Sequence, residues 1–211
     1  VKKPVLVTAV VAACLIVAGL VFFLVQRATA PDPASVPVVG ADSHVLDDGG
    51  DGAVTVVEFL DFECEACGAY YPVVEDLRAT YEGRITYVVR YFPLPGHRNS
   101  LTSALAAEAA ARQGKFDEMY QRLFETQGEW GEAQESRADV FRGYAADLGL
   151  DLDTYDADIA DPAVEHRVRA DFDAGRALGV GSTPTFFVDG SPLVIERWGD
   201  LEAAIEARLP R

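Results

Sequence analysis

The chain has 211 residues, 49% of them hydrophobic and 25% charged, which is enough apolar content for a packed core and excludes a disordered chain. Its 34 acidic residues against 18 lysines and arginines leave a net charge of −16, which disfavours nucleic acid and anionic lipid headgroups as partners. The cysteines Cys14, Cys64 and Cys67 are too few for a scaffold built on disulfides.

Residues 5–25 form an almost unbroken apolar run, long enough as a helix to cross a bilayer, with Lys2 and Lys3 before it and Arg27 after it. The expectation is a single-pass membrane anchor within residues 1–30, its basic end cytoplasmic and the rest of the chain extracytoplasmic. The alternative is a signal peptide cleaved near Ala30, after the small-x-small pattern Ala28-Thr29-Ala30, which would make the protein secreted. Cys14 reads as a residue buried in the membrane and not as a lipid-attachment site, because the apolar run continues beyond it. Residues 31–40 read as a linker, since Pro31, Pro33 and Pro37 fall close together without any hydrophobic period.

Residues 41–211 read as one domain without internal repeats. A short edge strand is expected around His44-Val45-Leu46, followed by a turn rich in Gly and Asp over residues 47–52. Residues 53–62 carry the clearest strand pattern, with Val54, Val56, Leu60 and Phe62 on one face and Val57 and Phe59 on the other. Glu58 interrupts the first face. Buried there, its carboxyl would be desolvated and suited to carry a proton; on an exposed edge it would have no such role.

The stretch Asp61-Phe62-Glu63-Cys64-Glu65-Ala66-Cys67 then places two thiols where this strand turns into an amphipathic helix marked by Tyr70, Val73, Val74, Leu77 and Tyr81, with Pro72 inside it. Free N–H groups and the positive dipole end at a helix start favour thiolate at Cys64, and Cys67 lies one turn on, close enough to close a small disulfide ring. Such a ring constrains little of the unfolded chain, so the pair reads as a redox centre. Zinc would need two more ligands, and His44, His97 and His166 are all distant in sequence; no metal is expected.

Residues 84–91 form a second strand, ended by Phe92-Pro93-Leu94-Pro95-Gly96. From residue 99 to 178 the pattern is helical almost throughout, with amphipathic stretches at Leu101/Leu105, Met119/Tyr120/Leu123/Phe124, Phe141/Tyr144/Leu148 and Val164/Val168/Phe172. Asp161 and Pro162 open the last of these as cap and first helical residue. A hairpin over residues 185–188 and 192–196 turns at Asp189-Gly190, and a terminal helix capped by Asp200 carries Leu201, Ile205 and Leu209. His97 reads as a solvated loop histidine, with approach to the Cys64 thiolate as the alternative. His44 and His166 have no chemical neighbours in sequence, and Trp130 and Trp198 read as packing or surface residues.

This order of elements resembles an α/β thioredoxin-like fold with a mixed central sheet and a large helical insertion at about residues 97–178. More narrowly it is similar to the DsbA family of exported thiol-disulfide oxidoreductases. The residues that carry the likeness are Val57-Glu58-Phe59, Asp61 to Cys64, Tyr91-Phe92-Pro93-Leu94, and the segment from Gly181-Ser182-Thr183-Pro184 through Thr185 to Gly190. The resemblance implies that Pro184 is a cis proline lying against the disulfide, that Thr183 offers its backbone to a client peptide as an added strand, and that Glu58 is the family's buried acid. One departure matters: Glu65 and Ala66 stand between the cysteines where strongly oxidising members carry Pro-His. Glu63 and Glu65 are expected to disfavour the Cys64 thiolate, giving a weaker oxidant.

The expected function is an extracytoplasmic enzyme that introduces disulfides into reduced exported proteins, with the Cys64–Cys67 disulfide as its redox group and no separate cofactor. The resemblance implies reoxidation by a quinone-linked membrane partner of the DsbB or vitamin K epoxide reductase type. A reductase or isomerase using the same pair is one alternative, and a metal-handling or chaperone-like binding domain is another. Copper handling would favour further sulfur or imidazole ligands near the pair, and Met119 is the single methionine.

Overall fold

The structure, a computed structural model, describes residues 12, 13, 15–23 and 35–210. The chain divides into two compact units between Val36 and Pro37. In the first, residues 12, 13 and 15–23 are helical and exposed. The expected membrane span over residues 5–25 lies partly outside the described residues, as does Cys14, and no helix among the described residues is long and apolar enough to cross a membrane.

The second unit is built on five strands, β1 (His44–Asp47), β2 (Val54–Leu60), β3 (Ile85–Tyr91), β4 (Thr185–Val188) and β5 (Ser191–Leu193), in the spatial order β1-β3-β2-β4-β5. The sheet is mixed. β2 runs parallel to β3, with Val54 opposite Ile85 and Leu60 opposite Tyr91, and antiparallel to β4. Parallel neighbours need a crossover. Helix α1 (Glu65–Thr80) supplies it, burying Cys67, Tyr70, Val74 and Leu77.

Period-two alternation along β2 divides the core in two. Val54, Val56, Leu60 and Phe62 join the larger cluster with α1, while Val57 and Phe59 join a smaller one with Val88, Phe92, Val180 and Phe187. Each such side chain contributes about 1.5–3 kcal/mol by leaving water. Because β2 has a neighbour on each side, Glu58 is interior and not at an edge, with 2% of its surface exposed.

Between β3 and β4 lie α2 (Ser100–Arg112), α3 (Phe116–Glu125), α4 (Gln127–Trp130), α5 (Ala138–Asp147), α6 (Leu152–Ala160) and α7 (Pro162–Ala177). Asp161 caps α7 as expected, its Oδ1 accepting from the Ala163 N–H at 2.9 Å. Periodicity does not mark α4 or α6, since α4 is a single turn and α6 buries only Tyr155. The start of α6 is signalled instead by its cap, Asp151, whose Oδ1 accepts from the Thr154 N–H at 2.7 Å.

The C-terminal end departs from expectation in two places. β5 stops at Leu193, well short of residue 196, because the Glu196 and Arg197 N–H groups turn toward Asp200 Oδ2, each at 2.8 Å. Asp200 is therefore the first residue of α8 (Asp200–Glu206) and binds the loop before it, and Gly199 holds the cap position. The β4–β5 turn is as expected, with positive φ at both Asp189 (48°) and Gly190 (75°), the geometry that matches strand twist in a two-residue hairpin.

Candidate active site

Cys64 is the N-cap of α1, with extended backbone (φ −68°, ψ 121°), and Cys67 lies one turn inside the helix. Both are buried free thiols. Cys64 Sγ lies 3.4 Å from the carbonyl oxygen of Thr183, and the Thr183–Pro184 peptide bond is cis. The chain thus brings Cys64, Cys67 and the Thr183-Pro184 segment together from positions 119 residues apart.

The two sulfurs differ sharply in acidity. A hydrogen bond from Cys67 is the main cause that lowers Cys64, burial opposes it, and the N–H groups of Cys67 and Ala66 reinforce it, leaving Cys64 at about 6. Burial is also the main influence on Cys67, and with the hydrogen bond to Cys64 and the charge of Glu58 it raises that thiol well above the ordinary range. Glu58 is raised to about 7, chiefly by burial, while a 2.6 Å hydrogen bond from the Tyr87 hydroxyl pulls the other way.

Neither Glu63 nor Glu65 is among the main influences on Cys64. The Glu63 carboxylate accepts the Asn99 N–H at 2.5 Å, and Glu65 is paired with Glu132. What lowers Cys64 most is Cys67, supported by the backbone donors at the helix start.

Several residues of the site carry no signal in a one-dimensional reading. Asp61, fully buried, accepts from the N–H of Glu63 (2.9 Å) and of Leu94 (3.0 Å) and pairs with His97 Nδ1 (2.6 Å). His97 is therefore not a freely solvated loop residue. Burial tends to lower its pKa, but the hydrogen bond and charge of Asp61, followed by the charges of Cys64 and Glu63, raise it overall. Gln127, on α4, donates through Nε2 to the carbonyls of Phe62 (2.7 Å) and Cys64 (2.9 Å). It approaches so closely that a Cβ on Gly68 would stand 2.0 Å from its Oε1. Among these, Asp61 had one available cue: an acid directly ending an apolar strand beside a cysteine pair.

Other residues fall elsewhere. His44 is not without neighbours: its Nε2 lies 2.8 Å from Glu108 and 3.0 Å from the Tyr91 hydroxyl, and its ring stacks on Phe116. Trp130 is buried, donating to the Leu123 carbonyl, and Trp198 is exposed and stacks on Tyr70.

Residues 50–207 match the profile of Thioredoxin_4, described as thioredoxin. The chain belongs to the thioredoxin family. Within that family its fold is DsbA-like, with a buried dithiol at the start of α1. Among solved structures, this thioredoxin-family chain is similar to a thioredoxin-like oxidoreductase from Silicibacter pomeroyi DSS-3, at 26% identity and a TM-score of 0.65 over 80% of this chain and 92% of that one. It shares its fold with BdbD from Bacillus subtilis at 20% identity (TM-score 0.68, 79% of this chain and 92% of that one). The same holds for α-DsbA1 from Wolbachia pipientis at 20% identity (TM-score 0.69, 84% and 95%). Curated relatives include proteins named Na(+)/H(+) antiporter NhaA 1 from Mycobacterium sp. strain KMS, 37% identical over 76% of this chain, and NhaA from Herminiimonas arsenicoxydans, 40% identical over 68%. The chain spans only 26% and 22% of the length of those two proteins.

Proposed function

We propose that this chain oxidises pairs of thiols in exported proteins on the extracytoplasmic side of the membrane, using Cys64 and Cys67. The observation that carries the reading is the asymmetry of the pair: Cys64 at about 6, facing the Thr183 carbonyl, and Cys67 held far higher in the interior. A stable Cys64 thiolate favours the reduced enzyme, which makes the disulfide an oxidant. A client thiolate attacks Cys64, and Cys67 leaves and is protonated. A second client thiolate then attacks the client sulfur of the mixed disulfide, releasing Cys64 as thiolate. The client leaves with one disulfide and the enzyme holds two reduced cysteines.

Turnover requires reoxidation of the pair by a quinone-linked membrane oxidase of the DsbB or vitamin K epoxide reductase type. A membrane anchor within residues 1–30 would hold both proteins in one plane. Thr183 and Pro184 form the surface on which the client strand is laid, and Glu58 handles the Cys67 proton. The redox group is the disulfide itself.

Two measurements test the proposal. A Cys67→Ala variant expressed with its N-terminal segment should accumulate mixed disulfides with exported proteins, and Cys64→Ala should accumulate none. The reduction potential of the pair, measured against glutathione, should lie above that of the compartment; a potential below it would assign the chain to disulfide reduction or isomerisation instead. Absence of any mixed disulfide in the Cys67→Ala strain would point to a binding domain.

A further inference from the structure

Glu58 and Tyr87 stand diagonally across the β2–β3 ladder, where Val56 pairs with Tyr87 and Glu58 with Val89. Both side chains point into the larger core, each with 2% of its surface exposed, and the Tyr87 hydroxyl donates to Glu58 Oε2 at 2.6 Å. Among the described residues this is the only side-chain hydrogen bond that Glu58 receives. Arg78 does not compete: it lies 6.0 Å from the Tyr87 ring centre, and its donors are taken by Asp47 and Glu75. The other ionisable groups that act on this pair are Cys64 at the cap of α1, Cys67 and Glu75 on α1, and Tyr120 on α3.

We propose that Tyr87 is a positioning residue for disulfide exchange, its hydroxyl holding the Glu58 carboxyl ready to pass a proton to and from Cys67. The inference rests on the assignment of Glu58 to the Cys67 proton made above. In the oxidising direction the client thiolate forms a bond to Cys64 Sγ, the Cys64–Cys67 bond breaks, and Cys67 leaves with the electron pair and takes its proton from Glu58. In the reverse direction Cys67 gives that proton back to Glu58 as it attacks Cys64 and expels the client thiolate. Both directions need a carboxyl that changes protonation within the working pH range. Burial alone drives a carboxyl toward permanent protonation, and the tyrosine hydroxyl, by bonding to the charged form, offsets it.

The test compares the full-length chain with Tyr87→Phe, Glu58→Gln and the double variant. Tyr87→Phe removes a single oxygen and keeps the ring that fills the core. Reduction of the oxidised protein by dithiothreitol is followed across pH, with the thiolate fraction of the reagent divided out, and the Glu58 carboxyl is titrated directly by carbon NMR. The expected result is a rise of about one pH unit or more in the Glu58 midpoint of Tyr87→Phe, with the matching inflection of the rate profile moving the same way. The inflection should be absent in Glu58→Gln, and adding Tyr87→Phe to it should change nothing further. An unmoved midpoint in Tyr87→Phe overturns the proposal while leaving the proposed function intact. Persistence of the inflection in Glu58→Gln overturns the proposal together with the role of Glu58 on which it rests. Failure of the oxidised wild type itself to be reduced by dithiothreitol overturns the proposed function.

Discussion

His97 Nδ1 lies 2.6 Å from Asp61 Oδ2, which joins the loop after β3 to the end of β2 immediately before the cysteine pair. A histidine 33 residues beyond Cys64 in sequence thus comes within electrostatic reach of it. Burial works against the charge on His97, but Asp61 and the neighbouring anions Cys64 and Glu63 outweigh it and favour imidazolium.

A positive charge there stabilises the Cys64 thiolate. His97→Gln is expected to raise the Cys64 pKa by about half a unit to one unit and to lower the reduction potential by about 15–30 mV. Ultraviolet absorbance of the thiolate and equilibrium with glutathione measure the two. An unchanged Cys64 pKa in the folded variant would remove His97 from the electrostatics of the site.

The lowered Cys64 also shapes the pH dependence of the potential. Cys64 is depressed in the folded reduced protein, so its thiolate stabilises that form above pH 6 and the advantage is lost as pH falls through about 6. Below that point reduction takes up two protons for two electrons, a slope of about 59 mV per pH unit; above it one proton, about 30 mV. The break between the two slopes should fall near pH 6, and a straight line from pH 4 to 8 would contradict the assignment.

Glu58 has the opposite sign. Its folded pKa is raised above the ordinary value, so its contribution is fully present below about 4.5 and is lost as pH rises through about 7. The reduced wild type is expected to lose about 3 kcal/mol from this group between pH 5 and pH 8.5, and Glu58→Gln should lack that component. Urea unfolding at the two pH values gives the comparison, and equal losses in both proteins would count against a buried carboxyl.

Gly68 and Gln127 should behave as one unit. A methyl group at residue 68 can be accommodated only if the Gln127 amide moves, and that breaks its hydrogen bonds to Phe62 and Cys64. Gly68→Ala and Gln127→Ala are each expected to cost about 1–3 kcal/mol, with Gly68→Ala nearly neutral once Gln127 is already alanine. Thermal melts of the four proteins close the cycle. Additive losses would show that the two positions act separately.

Much of the fold was legible because its strongest elements are periodic. The two faces of β2, the apolar stripe of α1 and the Asp161-Pro162 start of α7 each follow from local pattern and local caps. The site was legible only in part. The cysteine spacing, the acid within an apolar strand and the Thr183-Pro184 segment are visible in one dimension. Asp61 with His97, Glu58 with Tyr87, and Gln127 with the turn that carries Cys64 are not, because each pairing is made by the packing of separate elements. Glu63 and Glu65 are adjacent to Cys64 in sequence yet are not among the main influences on it, for the same reason: nearness along the chain says nothing about where a carboxylate turns. The overlong β5 failed because the pull of Asp200 on the Glu196 and Arg197 N–H groups has no counterpart in hydrophobic alternation.

The carbonyls of Phe62 and Cys64 are held by a side chain some sixty residues downstream, and the sulfur itself faces a carbonyl more than a hundred residues downstream. A growing polypeptide that ends before Thr183 therefore has the helix start, both sulfurs and Gln127, but not the carbonyl that faces Cys64 or the cis peptide bond beside it. The wall opposite the sulfur is thus the last part of the cleft to be synthesised.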